Sequence, residues 1–119
     1  MTNLISFYGS SDMNIYEEEL VGIQAPPWEA FEEYWRRSPV SGIGSATTPT
    51  LIIHSASDQR CDRDQGEQIF VALQKMGVDS EMVLVPEESH GLSRGGRTDR
   101  RVARLQHIAR WFEKYLKRP

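Results

Sequence analysis

The feature that most limits how this chain can fold is the run Thr50-Leu51-Ile52-Ile53-His54. It sits between Pro49 and the polar stretch Ser55-Ala56-Ser57-Asp58-Gln59-Arg60. A short, unbroken apolar and β-branched run fits a strand buried on both faces, as strands of parallel sheets are. Parallel strands need a long crossover, and the sequence supplies one. Asp62-Arg63-Asp64-Gln65 opens a helix, with Asp62 at the N-cap position and Gln65 three residues on. Ile69, Ala72, Leu73 and Met76 share one helical stripe, and Gly77 stands where a left-handed C-terminal cap belongs. Glu81-Met82-Val83-Leu84-Val85 is the second strand, closed by Pro86. A loop from Glu87 to Thr98 leads to a last helix, in which Val102, Leu105, Ile108, Ala109, Phe112 and Leu116 form a wide apolar face. The fold class is therefore α/β. Two parallel strands at about 50–54 and 81–85 and helices at about 63–76 and 99–116 make a βαβα unit with a right-handed crossover.

The chain ahead of Pro49 reads differently. Residues 1–48 are loop-rich: Gly9-Ser10-Ser11-Asp12 is turn chemistry, and Pro26-Pro27 blocks regular structure. One short helix is expected at about 28–37. Its acids come early and its arginines late, as the helix dipole favours, and Ser38-Pro39 ends it. Several aromatics on this helix need a surface to cover. Residues 49–119 form the βαβα core, and the 119 residues together suit one domain.

Composition excludes several classes. The 17 acids outnumber the 14 Lys and Arg, for a net charge of -3, which gives no support to a nucleic-acid or membrane-surface partner. The arginines between Arg94 and Arg110 are better explained by a solvated loop and helix face. No apolar run approaches the roughly 20 residues of a membrane span. Cys61 is the one cysteine, so no internal disulfide forms, in keeping with a cytoplasmic location. No cofactor motif and no standard metal-ligand spacing occurs, and none of either is expected.

In parallel α/β sheets the working residues lie in loops at the carboxyl ends of strands. The loop after His54 offers Asp58; the loop after Pro86 offers Glu87, Glu88 and His90. Taken singly, Asp58 fits a turn former or helix cap, His90 a surface histidine, His54 and His107 structural or surface positions, and Glu87 and Glu88 solvated acids. Cys61 beside Arg60 fits a thiol of lowered pKa. Taken together, an acid and an imidazole at one sheet edge, in that chain order, suit a hydrolytic triad whose serine comes earlier.

The segment Thr48-Pro49-Thr50-Leu51-Ile52-Ile53-His54-Ser55-Ala56-Ser57-Asp58-Gln59-Arg60-Cys61 resembles the acid-bearing segment of the prolyl oligopeptidase family, acylaminoacyl-peptidase branch. So do Pro86-Glu87-Glu88-Ser89-His90-Gly91, Trp111-Phe112, and upstream Thr2-Asn3, Ser6-Phe7-Tyr8-Gly9 and Tyr34-Trp35-Arg36-Arg37-Ser38-Pro39. The resemblance implies a partial α/β-hydrolase fold holding the last two strands of the sheet, with Asp58 as triad acid and His90 as general base. It implies that the serine, on a strand-to-helix elbow, and a gating propeller domain lie upstream of residue 1. It departs from the family at Ser55, where a glycine is usual; a side chain is tolerated there if φ is negative.

Gly91-Leu92-Ser93-Arg94-Gly95 spells G-x-S-x-G, but no strand precedes it directly and it follows the histidine, so Ser93 is not expected to be the nucleophile. Arg94 is a candidate for pairing with a substrate carbonyl or carboxylate. The expected function is that of a serine-peptidase segment acting on peptides or acyl-peptides and inactive alone. Its expected partners are the remainder of the hydrolase or a second copy of itself. A non-catalytic, self-associating remnant and an esterase or lipase fragment are the alternatives.

Overall fold

The computed structural model describes residues 23, 25, 26 and 28–116. The turn expected at Gly9–Asp12 and the residues quoted between Thr2 and Gly9 lie outside them. Helix α1 spans Phe31–Arg37 and a 3-10 helix spans Pro39–Ser45. Strand β1 is Thr50–Ser55, helix α2 Asp64–Lys75, strand β2 Ser80–Val85, short helix α3 Leu92–Gly95 and helix α4 Thr98–Leu116. β1 and β2 pair in parallel, from Thr50 opposite Ser80 to Ser55 opposite Val85. This is the expected βαβα order, with α2 as the crossover.

α2 packs closely against the sheet because its first turn carries Gly66. A Cβ added there would stand 3.0 Å from His54 Nδ1 and 3.3 Å from both Ile52 and Met82 side chains. Leu73 is the buried anchor of the helix at 1% exposure. Gly77 has φ +72. Its N–H reaches the Gln74 carbonyl at 3.1 Å, and the Val78 N–H reaches the Leu73 carbonyl at 3.0 Å, which is the paired-bond Schellman cap. The other end differs from expectation. Residue Arg63, not Asp62, precedes the first helical residue, and no side-chain capping bond forms there. Gln65 is buried and its amide donates instead to Asp64 Oδ1 at 3.1 Å.

Two short helices were not expected. Pro39 starts the 3-10 helix, a position where its missing N–H costs nothing, and Ser38 Oγ donates to the Tyr34 carbonyl at 2.8 Å, linking it to α1. α1 starts at Phe31 rather than near Trp28. Only Tyr34 among its aromatics is buried, its hydroxyl donating to the Ala25 carbonyl at 3.1 Å. Trp28, Phe31 and Trp35 stay exposed.

The larger correction concerns α4. Its buried residue is Trp111, whereas Val102, Leu105, Phe112 and Leu116 of the expected apolar face are 48, 57, 55 and 68% exposed. Ion pairs from α4 to the start of β2, Arg110 with Glu81 and Lys114 with Asp79, orient the helix this way. With two strands the sheet covers one narrow stripe of α4. For the same reason β1 is half-buried from Thr50 to His54 rather than enclosed. Its edge away from β2 has no partner strand among the described residues.

Candidate active site

Both strands deliver their following loops to one end of the sheet. β1 leads into Ala56–Arg60, and β2 into a turn in which Pro86 precedes Glu87, the one described non-glycine residue with positive φ, at +60. Left-handed backbone at an acidic residue is uncommon and is held by its surroundings. Here Glu87 pairs with Arg100 at 2.6 Å, and the two loops are stitched by Ala56 N–H to the Val85 carbonyl and Ser57 N–H to the Glu88 carbonyl. Ser55 lies in extended strand with no positive φ, so a side chain is accommodated at that position.

This stitching brings Asp58 and His90 together. Asp58 is 8% exposed. Its Oδ1 accepts the backbone N–H groups of Arg60 and Cys61, each at 3.0 Å, and its Oδ2 lies 3.0 Å from His90 Nδ1. Burial pushes the Asp58 carboxyl upward, but the Cys61 and Arg60 N–H groups and His90 outweigh it and hold the carboxyl below its ordinary value. An ionised carboxylate only accepts, so His90 Nδ1 carries the donated proton. In the neutral imidazole that leaves Nε2 as the lone-pair nitrogen, on a side chain that is 43% exposed.

His54 is a bracket for this loop. Its Nε2 donates to the Cys61 carbonyl at 2.8 Å and stands 3.8 Å from Asp58 Oδ2, so that nitrogen is committed. Cys61 is not an activated thiol: burial, then the Asp58 charge, raise its pKa against the opposing Arg60. Glu88, expected to be solvated, is buried. Its Oε1 accepts the Arg97 N–H at 3.0 Å just ahead of α4, so the residue two before His90 is anchored to the last helix. A side chain at Gly96 would meet Glu88 Oε2 at 2.7 Å.

A hollow of about 240 Å³ opens over the pair, lined among others by His54, Asp58, His90, Ser93 and Arg104. Arg94 is exposed on α3 and is not part of this lining. Ser93 also lies on α3, with Pro86 to Gly91 between it and β2; the strand-to-helix elbow is absent there. Arg104 is the residue that sequence reading passed over, because it looked like one more arginine on a polar helix.

The depressed Asp58 pKa carries a pH dependence. A carboxylate stabilised in the fold contributes stability that is complete above its ordinary value of 3.8 and is lost as pH falls through the lower folded value. Unfolding free energies measured against pH should show this acid limb, and Asp58→Asn should shrink it, leaving the shares of Glu33, Asp79 and Asp99, whose carboxyls are also held below their ordinary values by arginine, lysine or tyrosine partners.

An acid and an imidazole held against it meet here, with an open hollow beside them. The profile of the prolyl oligopeptidase family matches residues 1–119, and the chain belongs to that family. It is 39% identical over 116 residues to the uncharacterized peptidase YuxL of Bacillus subtilis, covering 98% of this chain and 18% of that protein. It is 31% identical to the acylamino-acid-releasing enzyme of Arabidopsis thaliana, covering 97% of this chain and 15% of that one. Among solved structures, the acylaminoacyl peptidase of Pyrococcus horikoshii superposes with a TM-score of 0.85 at 27% identity, over 99% of this chain and 19% of its own. An acylaminoacyl peptidase in complex with Z-Gly-Gly-Phe-chloromethyl ketone superposes at 0.86. The fold is that of an α/β-hydrolase, and the chain spans less than a fifth of the relatives it matches. No described helix is long and apolar enough to cross a membrane.

Proposed function

We propose that this chain supplies the acid and base of a serine peptidase acting on acyl-peptides or short peptides. The observation that carries the reading is the 3.0 Å contact between His90 Nδ1 and an Asp58 carboxylate already fixed by two backbone N–H groups. In this reading a serine from outside the 119 residues attacks the scissile carbonyl carbon, and His90 Nε2 takes its hydroxyl proton. Asp58 stabilises the imidazolium. The proton then passes from Nε2 to the leaving amine as the C–N bond breaks. Water gives a proton to Nε2 as it attacks the acyl carbon; the ester C–O bond then breaks, Nε2 returns the proton to the serine oxygen, and the acid is released. All 119 residues then belong to one partial domain, in a cytoplasmic setting consistent with the unpaired Cys61.

The test is a chimera in which this chain replaces the matching segment of the Pyrococcus enzyme. It is expected to react with a fluorophosphonate and to hydrolyse an acyl-amino-acid substrate, whereas the chain alone should do neither. A folded chimera without turnover, or labelling of Ser93 in the chain alone, would contradict the reading. A second reading, a self-associating remnant without catalysis, is favoured by one observation: the exposed stripe Val102, Leu105, Phe112 and Leu116, an apolar surface of the kind that mediates association.

A further inference from the structure

The His90 side chain is 43% exposed, so its place depends on the backbone that carries it. That backbone leaves β2 through Glu87 at φ +60, a conformation that persists only where the surroundings hold it. Glu87 itself holds weakly: its ion pair with Arg100 leaves the Glu87 side chain 76% exposed, and exposed pairs contribute little. Glu88 is 7% exposed and is tied twice. Its carbonyl accepts the Ser57 N–H, from the loop of Asp58, at 3.0 Å. Its Oε1 accepts the Arg97 N–H at 3.0 Å, one residue ahead of α4. Gly96 makes room for this second bond, since a Cβ there would stand 2.7 Å from Glu88 Oε2. A buried carboxylate is costly unless it is hydrogen-bonded, so the Arg97 N–H fixes where this side chain can lie.

We infer that Glu88 is a positioning residue for the base. It ties the His90 loop to the Asp58 loop through its carbonyl and to α4 through its side chain, and so keeps His90 Nδ1 at Asp58 Oδ2. Glu88 does not line the hollow over the pair, so it acts through His90 rather than on a substrate. The backbone tie survives any substitution; the side-chain tie does not. Without Oε1 the loop is held by Ser57 and the exposed Glu87 pair alone, the backbone at Glu87 relaxes, and the half-exposed ring leaves the carboxylate. This role rests on the acid–base reading above, because only a working base needs its ring held in one orientation.

The His90 Nδ1–H signal of the 119-residue chain, followed by ¹⁵N NMR, reads this role without turnover. Wild type is expected to show it. Glu88→Ala is expected to lose it while the backbone amide signals of β1 and β2 stay in place. Glu88→Gln is expected to keep it, because an amide oxygen accepts the Arg97 N–H as a carboxylate oxygen does. In the chimera, Glu88→Ala is expected to lower kcat about 10²-fold with KM nearly unchanged, and Glu88→Gln to hold kcat within about 3-fold of wild type. An Nδ1–H signal unchanged in Glu88→Ala, an equal loss in both variants, or a loss confined to KM overturns the inference and leaves the triad reading standing. A wild-type chain without the signal, or one whose signal ignores Asp58→Asn, overturns the triad reading and this role with it. If Glu88→Ala does not fold, Glu88→Asp takes its place: it keeps the charge but falls a methylene short of Arg97, and the same loss is expected.

Discussion

Asp58→Asn in the chimera is expected to lower kcat by about 10⁴-fold while leaving substrate affinity nearly unchanged. The amide can offer its N–H₂ to His90 Nδ1, which then carries the lone pair and puts the proton on Nε2, the nitrogen that must act as base. Oδ1 would still accept the Arg60 and Cys61 N–H groups, so the loop keeps its shape. The loss is thus one of tautomer and charge, and it should appear in kcat rather than KM. A drop of a few fold only would mean that Asp58 is merely the turn former that its loop position also permits.

The second large effect is on stability. Leu73 on α2 is 1% exposed, and Leu73→Ala is expected to cost about 2–5 kcal/mol, from lost burial and the cavity left behind. Leu105 is as apolar and sits on a longer helix, yet it is 57% exposed. Leu105→Ala should stay within about 0.5 kcal/mol for the monomer, as surface changes do. Urea unfolding at several protein concentrations checks both. If Leu105→Ala costs as much as Leu73→Ala, or stability rises with concentration, a second copy covers the α4 stripe and the self-associating reading gains.

This contrast also shows where sequence is informative. The strands, the α2 crossover and its Gly77 cap were legible because each rests on local chemistry: a β-branched run, a 3.6-residue stripe, a glycine free to adopt φ +72. Asp58 and His90 were legible because strand order delivers their loops to one edge. What failed was the environment of each element. The face of α4 that is buried depends on how much sheet lies beneath it and on ion pairs to Asp79 and Glu81, neither written in the helix itself. Glu88 looked solvated because acids in loops usually are; its burial follows from the tertiary approach of Arg97. Cys61 looked activated by adjacent Arg60, but burial and the Asp58 charge dominate. The Asp62 side-chain cap failed because the Gln65 N–H it would receive bonds to the Asp62 backbone carbonyl instead, at 3.0 Å. Arg104 needs three dimensions to be seen at all.

The most direct test of the account is the tautomer of His90, read from ¹⁵N NMR of the imidazole at a pH where it is neutral. The account predicts a protonated Nδ1 hydrogen-bonded to Asp58 and an unprotonated Nε2, with the Nδ1–H signal lost or displaced in Asp58→Asn. A proton on Nε2 in the wild-type chain, or a spectrum indifferent to Asp58→Asn, would mean that the 3.0 Å contact does not orient the base and that the acid–base assignment is wrong.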